Sequence, residues 1–150
     1  MKTAHFAFIL ATLVSAGVGL AHTGVTNPAV LARMDSMVKI GDGVKVLGQM
    51  AKGERAFDAG AARAAAAEVA LHAAETPALF EAKEDDPLSE ARDIIWTDFA
   101  DFTAKSDELA ALAEGLAVSI QSEADVRAAV ASLGKACAAC HEVYRAEHEH

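Results

Sequence analysis

The chain has 150 residues, of which 53% are hydrophobic and 23% charged, and its formal net charge at pH 7 is −9. This acidic balance argues against nucleic-acid binding, because proteins that bind the phosphate backbone present clusters of Lys and Arg. The length predicts a single domain. Abundant alanine, only three prolines and the lack of sustained alternation between β-branched and polar residues predict an all-helical fold.

Residues 1–21 have the pattern of a secretory signal peptide. Lys2 precedes an apolar stretch from Phe6 to Leu20 that ends in small residues, and cleavage after Ala21 satisfies the small-residue rule. The stretch is shorter than the ~20 residues that span a bilayer, which favours a leader over a membrane anchor. We therefore expect residues 22–150 to form the mature domain in an exported, oxidising compartment such as a bacterial periplasm.

The first predicted helix covers about residues 28 to 51. Asn27 is expected as its N-cap, Pro28 occupies its first position, and the helix is expected to end near Gly53. Apolar residues recur along it at spacings of three and four. Its glycines allow close approach of another helix or of a flat ligand.

The second predicted helix begins after Asp58 and is expected to stop at Pro77. Its alanine-rich surface allows close packing of a neighbour, either from the same chain or from a second subunit. Residues 78–93, with mixed charge and Pro87, predict an irregular connection between the two halves of the fold.

The third predicted helix runs from about Trp96 to Ile120, with apolar residues at a 3.6-residue period. Ser122, with Asp125 three residues later, predicts the start of the fourth helix. Along that helix Val126, Val130 and Leu133 form an apolar stripe that Cys137, Cys140 and Tyr144 continue. Four amphipathic helices with short connections predict an antiparallel four-helix bundle.

The stripe ends in "CAACH", residues 137–141. On a helix, residues i, i+3 and i+4 share one face, so Cys137, Cys140 and His141 can act on one ligand. Two thiols at this spacing can add to the two vinyl groups along one edge of a haem, and the adjacent imidazole can ligate the iron. The motif therefore predicts covalent haem attachment.

Three other chemistries compete for this motif. A redox-active Cys-x-x-Cys of thioredoxin type sits at a helix start in a fold that contains strands, whereas this motif comes roughly four turns into a helix. A zinc site needs a fourth ligand, which His72 or the tail residues His148 and His150 would have to supply. A disulfide between the two cysteines would close a loop too short to stabilise the fold much. We favour haem attachment over all three.

Four stretches resemble the class II cytochromes c, the family that includes cytochrome c′ and its low-spin relatives. They are "ARMDSM" in the first helix, "MAKGERAFDA" at the first turn, "IIWTDFADF" at the start of the third helix and "LGKACAACHEVYR" at the end. The resemblance covers nearly all of the expected mature chain. It implies a haem-bearing four-helix bundle, of which cytochrome c′ is a standard example.

The resemblance also implies roles for individual residues. Cys137 and Cys140 correspond to the thioether attachments of haem c, and His141 to the proximal iron ligand. Arg33 is implied to lie near a haem propionate. Met37 occupies the distal position, where the family has either a methionine as sixth iron ligand or a residue that shields an open iron site.

Further residues are implied only as neighbours of the cofactor. Met34 and Glu90 are expected to contact the haem, and Arg145 to lie beside its proximal face. Tyr144 is expected to pack near the haem as well. His72 is expected to be structural or exposed.

Three functions follow from these expectations, and the first is favoured. It is a one-electron carrier with low-spin iron held by His141 and Met37, because the stretch from Met37 to Glu54 resembles the low-spin relatives and thioether ligation suits reversible electron transfer. The second is a five-coordinate cytochrome c′ that binds nitric oxide or carbon monoxide, and the third is a thiol redox protein that uses the Cys-x-x-Cys directly. No second catalytic constellation is present, so we expect a carrier and not an enzyme.

The expected partners are periplasmic or membrane-bound redox proteins. The family resemblance also implies a homodimer through the first and second helices.

Overall fold

The structure is a computed structural model that describes residues 24–147. The predicted leader, residues 1–21, and the tail residues His148 and His150 lie outside the described residues. Five helices run through the described part: α1 (Pro28–Ala51), α2 (Ala59–Leu79), α3 (Ile94–Thr97), α4 (Phe99–Ser119) and α5 (Glu123–Tyr144). Between residues 24 and 147, none of these helices combines the length and the apolar character needed to cross a membrane.

The first helix has the predicted boundaries. The side-chain oxygen of Asn27 accepts hydrogen bonds from the backbone N–H groups of Ala29 and Val30, at 2.9 and 3.2 Å. These bonds satisfy two N–H groups that have no partner inside the helix. At the other end, Gly53 follows the helix with a φ of +73°, a conformation that favours glycine.

The second helix starts as predicted but ends later. Asp58 caps it by accepting a hydrogen bond from the N–H of Ala61 at 2.7 Å. The prediction that the helix stops at Pro77 is wrong, because Pro77 lies in its last turn. A proline leaves the carbonyl four residues earlier without its helical donor. Here that carbonyl belongs to Ala73, and the Ser106 hydroxyl of α4 donates to it at 2.7 Å.

The third predicted helix is divided into α3 and α4. The backbone of Asp98 leaves the helical region, with φ −130° and ψ 49°. The short α3 is fixed against the preceding connection, since Ile95 is buried and Trp96 Nε1 donates to the carbonyl of Phe80 at 2.8 Å. No proline or glycine marks the break, so periodicity alone indicated one continuous helix.

The fourth predicted helix, α5, begins with a complete capping box. The Ser122 hydroxyl accepts a hydrogen bond from the N–H of Asp125 at 3.3 Å, and the Asp125 carboxylate accepts one from the N–H of Ser122 at 2.9 Å. The side chain of each residue thus accepts a hydrogen bond from the backbone N–H of the other, as the sequence predicted.

The four long helices form the predicted antiparallel bundle. Helix α1 packs against α2 and α5, and α4 packs against the same two helices, so the four follow one another around the core. Short turns join α1 to α2 and α4 to α5, which makes these pairs antiparallel. Fully buried side chains from all four helices fill one half of the bundle: Leu47, Val69, Ala113, Val126 and Leu133.

Helices α1 and α2 approach closely at Gly43. A Cβ atom added to Gly43 would lie 2.8 Å from both the carbonyl oxygen of Ala65 and the Cγ2 atom of Val69. Five alanines of α2 are buried along the same helix: Ala62, Ala65, Ala66, Ala70 and Ala73. The close packing expected from the glycines and alanines therefore includes a contact within the chain.

We expect Gly43→Ala to destabilise the protein by about 1–3 kcal/mol, because the new methyl group would overpack the contact with α2. The matched control is Gly48→Ala on the same helix, where an added Cβ meets nothing within 4 Å. That change should stabilise by up to about 1 kcal/mol through helix propensity alone. Urea unfolding followed by circular dichroism measures both free energies. Equal effects of the two substitutions would contradict the close approach at Gly43.

Candidate functional site

A cavity of about 550 Å³ lies between α1, α4, α5 and the connection that precedes α3. Its size falls within the roughly 300–1,000 Å³ typical of ligand and cofactor sites. All seven site residues predicted from the sequence line it: Arg33, Met34, Met37, Glu90, Cys137, Cys140 and His141. The rest of the lining is mainly apolar, including Val30, Ile40, Val44, Phe80, Ile95, Phe102 and Leu109.

The wall formed by α5 carries two thiols and an imidazole. Cys137 and Cys140 are half-buried and both are free. His141 has one side open to solvent and another facing the cavity. The apolar stripe of α5 therefore has two parts. Val126 and Leu133 belong to the packed core, whereas Cys137 and Cys140 face the cavity.

The electrostatics of this wall suit ligation better than thiol chemistry. Burial raises the pKa of both Cys137 and Cys140, whereas a redox-active Cys-x-x-Cys needs a lowered thiol pKa. Desolvation, helped by the Arg145 charge, lowers the pKa of His141. A lowered pKa keeps the imidazole neutral at pH 7, and the neutral imidazole is the form that ligates metals.

The wall formed by α1 carries two methionines. Met34 and Met37 line the cavity one helical turn apart, and Met37 is 36% exposed. The other methionine of the described chain, Met50, is 3% exposed and belongs to the packed core. The two methionines of the α1 wall are therefore the thioethers that face the α5 motif across the cavity.

Arg33 fixes the α1 wall to the chain that follows α2. Its guanidinium donates to three backbone carbonyls, those of Leu79 at 3.0 Å, Ala82 at 2.7 Å and Glu84 at 2.7 Å. The group also lies over the ring of Phe80, 4.6 Å from its centroid. Only 3% of Arg33 is exposed. Three of its five N–H donors are used in this way.

Residues 84–92, which we call the strap, close one side of the cavity. Near the N-terminal end of the strap, the Asp86 carboxylate accepts hydrogen bonds from the backbone N–H groups of Thr26 at 2.9 Å, Asn27 at 3.1 Å and Leu88 at 3.0 Å. These bonds lower the pKa of Asp86. The start of α1 and the strap are therefore held together by an ionised carboxylate.

The other end of the strap is fixed to the end of α5. The N–H of Ala146 donates to the carbonyl of Glu90 at 2.8 Å, and the N–H of Arg92 donates to the carbonyl of Tyr144 at 3.0 Å. Arg145 Nε donates to the Glu90 carboxylate at 2.5 Å. Glu90 and Arg145 both line the cavity. The strap therefore holds the turn of α5 that carries His141.

A polar cluster lies where α4 meets α5. The Tyr144 hydroxyl donates to the Asp101 carboxylate at 2.6 Å, and the Lys105 ammonium lies 3.4 Å from the same oxygen. The bond from Tyr144 lowers the pKa of Asp101. Tyr144 is buried and its ring meets that of Phe102 edge-on. Sequence reasoning anticipated Tyr144 but missed Asp101 and Lys105, because both belong to the ordinary charge pattern of a helix surface.

His72 lies apart from this cavity, on α2. Its ring Nδ1 is 3.0 Å from the Glu75 carboxylate, and its carbonyl accepts the Thr76 hydroxyl at 2.8 Å. Within residues 24–147 there is no group of three or more His, Cys, Asp and Glu side chains that could hold a metal ion. The zinc interpretation therefore has no ligand set in this part of the chain.

The donor set of the cavity fits a haem. Two thiols one helical turn apart could each form a thioether with a haem, while an imidazole and a methionine sulfur could ligate its iron. The apolar lining suits the faces of a flat macrocycle. The guanidinium of Arg33, which also lines the cavity, suits a carboxylate.

Comparisons with known proteins cover most of the chain. A family profile described as Cytochrome C′ matches residues 28–145. A cytochrome c-556 of Agrobacterium tumefaciens is 37% identical over 115 residues, covering 76% of this chain and 91% of that protein. A cytochrome c′ of Rhodopseudomonas palustris is 31% identical over 140 residues, covering 92% and 94%. The NMR-validated structure of oxidized R. palustris cytochrome c556 superposes with a TM-score of 0.74 at 28% identity, covering 81% of this chain and 98% of that one.

We expect Arg33→Lys to lower the free energy of unfolding by about 2 kcal/mol or more. A lysine ammonium cannot serve three carbonyls in the fork geometry of arginine, and each lost charged hydrogen bond costs about 1.5–3 kcal/mol. The control is Arg127→Lys, because Arg127 is exposed and pairs with Glu123 one turn away. That change should cost less than about 0.5 kcal/mol. Urea unfolding distinguishes the two variants, and similar losses would contradict the anchoring role of Arg33.

Proposed function

The chain belongs to the cytochrome c′ family, and on this premise we propose that it carries single electrons between other redox proteins, with its haem iron held between His141 and Met37. The cofactor of the family is covalently attached haem c. Cys137 and Cys140 are the cysteines of the attachment motif in this chain. When bound, the haem supplies one Fe(III)/Fe(II) couple.

The observation that carries the proposal is the placement of His141 and Met37 on one cavity. His141 reaches it from α5 and Met37 reaches it from α1. Met37 differs from Met50 because a third of its surface is uncovered by protein atoms. A methionine that only filled the core would be packed as Met50 is.

Contacts in the cavity walls support ligation by these two groups, because they hold the turns that carry them and keep His141 neutral. The lowered pKa of His141 keeps its imidazole unprotonated, and the strap holds the α5 turn that carries it through Glu90 and Arg145. Arg33 holds the α1 turn that carries Met37. The mainly apolar lining limits solvent access, and together with a thioether ligand this raises the reduction potential.

Electron transfer fits the site better than the other activities considered. The raised pKa values of Cys137 and Cys140 disfavour direct thiol redox chemistry. The cavity residues provide attachment, ligation and anion pairing, which suit a carrier and not an enzyme. The alternative within the family is an open iron site that binds nitric oxide or carbon monoxide, and it requires Met37 to shield the iron without bonding to it.

We further propose that the chain works after export to the periplasm, which follows from the signal-peptide pattern at residues 1–21. Its partners would be periplasmic or membrane-bound redox proteins. Removal of residues 1–21 takes away Lys2 and no acid, so the formal charge changes from −9 to 12 − 22 = −10, which would steer the chain toward basic partner surfaces. The outer faces of α1 and α2, where Val38 and Leu71 are exposed, would form the homodimer contact implied by the family.

We expect Met37→Leu to open the iron to carbon monoxide. Leucine keeps the apolar volume but cannot ligate, so the reduced variant should change from low-spin to high-spin iron. Its affinity for carbon monoxide should rise at least tenfold, which corresponds to removing about 1.4 kcal/mol of competition by the native ligand. Absorption spectra of the reduced protein, titrated with carbon monoxide, measure both effects.

Met34→Leu is the matched control, since Met34 lines the same wall one turn away. It should leave the spin state and the carbon monoxide affinity of the native protein unchanged. If Met37→Leu also behaves as the native protein does, Met37 is not an iron ligand.

A further inference from the structure

Lys105 is a charged side chain in a mainly apolar wall. It lies on α4 between Phe102 and Leu109, and all three residues line the cavity. Its side chain is 27% exposed. Most of its surface is therefore covered by the fold, as is usual for the aliphatic stem of a lysine.

The partner of Lys105 sits on the solvent side. Asp101 lies 3.4 Å from the ammonium, its side chain is 46% exposed, and it lies outside the lining formed by the described residues. The hydrogen bond from Tyr144 holds the Asp101 carboxylate in place at 2.6 Å. Since water and salt screen the exposed carboxylate more than the covered ammonium, the two charges do not cancel inside the cavity.

Lys105 shares the cavity lining with Cys140 and His141, the α5 residues that would hold the haem. Because Asp101 is absent from that lining among the described residues, the ammonium is the member of the ion pair that borders the site. Covalent attachment at Cys140 would place one edge of the haem in the cavity that Lys105 lines.

We propose that Lys105 raises the midpoint potential of the haem and so favours the reduced state. The Fe(III) form carries one more positive charge than the Fe(II) form, so a nearby ammonium destabilises the oxidised form more. Reduction takes up one electron from a redox partner or mediator and breaks no bond in the protein. The inference rests on the covalent haem of the proposed function, but it holds whether or not Met37 ligates the iron.

The test is a redox titration of the purified holoprotein with mediators, read by absorption at several potentials. Lys105→Met removes the charge and keeps a similar shape, so the equilibrium constant for reduction should fall about 3- to 10-fold. A tenfold fall corresponds to a shift of 59 mV for a one-electron couple. The control is Lys52→Met, which makes the same change in net charge at an exposed site just after the C-terminal end of α1. Its constant should change by less than about 1.5-fold, because salt screens a distant exposed charge.

Asp101→Asn tests the same field with the opposite sign. It removes the compensating carboxylate, so the equilibrium constant for reduction should rise. Equal shifts in Lys105→Met and Lys52→Met, or a fall in Asp101→Asn, would overturn the role of Lys105 while leaving the electron-carrier proposal intact. Absence of haem bands in the native protein would overturn the proposed function itself, so the two failures are distinguishable.

Discussion

The three hydrogen bonds of Arg33 are the interaction on which the cavity depends. They join the first half of α1 to the chain that follows α2, across 46 to 51 positions of sequence. Met34 and Met37 lie on the same turns of α1, so the anchor also fixes the wall that they form. Asp86 adds a second connection between the start of α1 and the strap. Together these contacts hold one wall of the cavity at a set distance from the α5 motif.

The two halves of the bundle differ in the side chains that fill them. One half is an ordinary core of aliphatic side chains around Leu47, Val69 and Leu133, and the other contains the aromatic cluster of Phe80, Phe102 and Tyr144 beside the cavity. A haem seated in the second half would cover apolar side chains that line the cavity, such as Phe80, Ile95 and Phe102. Burial of this apolar surface would stabilise the fold, so the haem would belong to the hydrophobic core as well as serve as the redox centre.

Local signals in the sequence were enough for the starts of α1, α2 and α5 and for the attachment motif. Asn27, Asp58 and Ser122 cap their helices as predicted, because a cap depends on neighbours within a few residues. All seven predicted site residues reached one cavity, since the motif spacing and the family resemblance carried that information. The break at Asp98, the three carbonyls bound by Arg33 and the position of Lys105 depend on contacts between distant segments. No local pattern of residues records such contacts, so they became visible only in the folded chain.

The proposed ligation of the iron by both His141 and Met37 can be tested on the native protein. The experiment is a visible absorption spectrum of the purified protein, first oxidised, then reduced, and finally exposed to carbon monoxide. Ligation by Met37 predicts haem bands with low-spin character in both oxidation states and a reduced spectrum that carbon monoxide leaves unchanged. A reduced spectrum that changes at once on adding carbon monoxide would show an open distal site and contradict ligation by Met37.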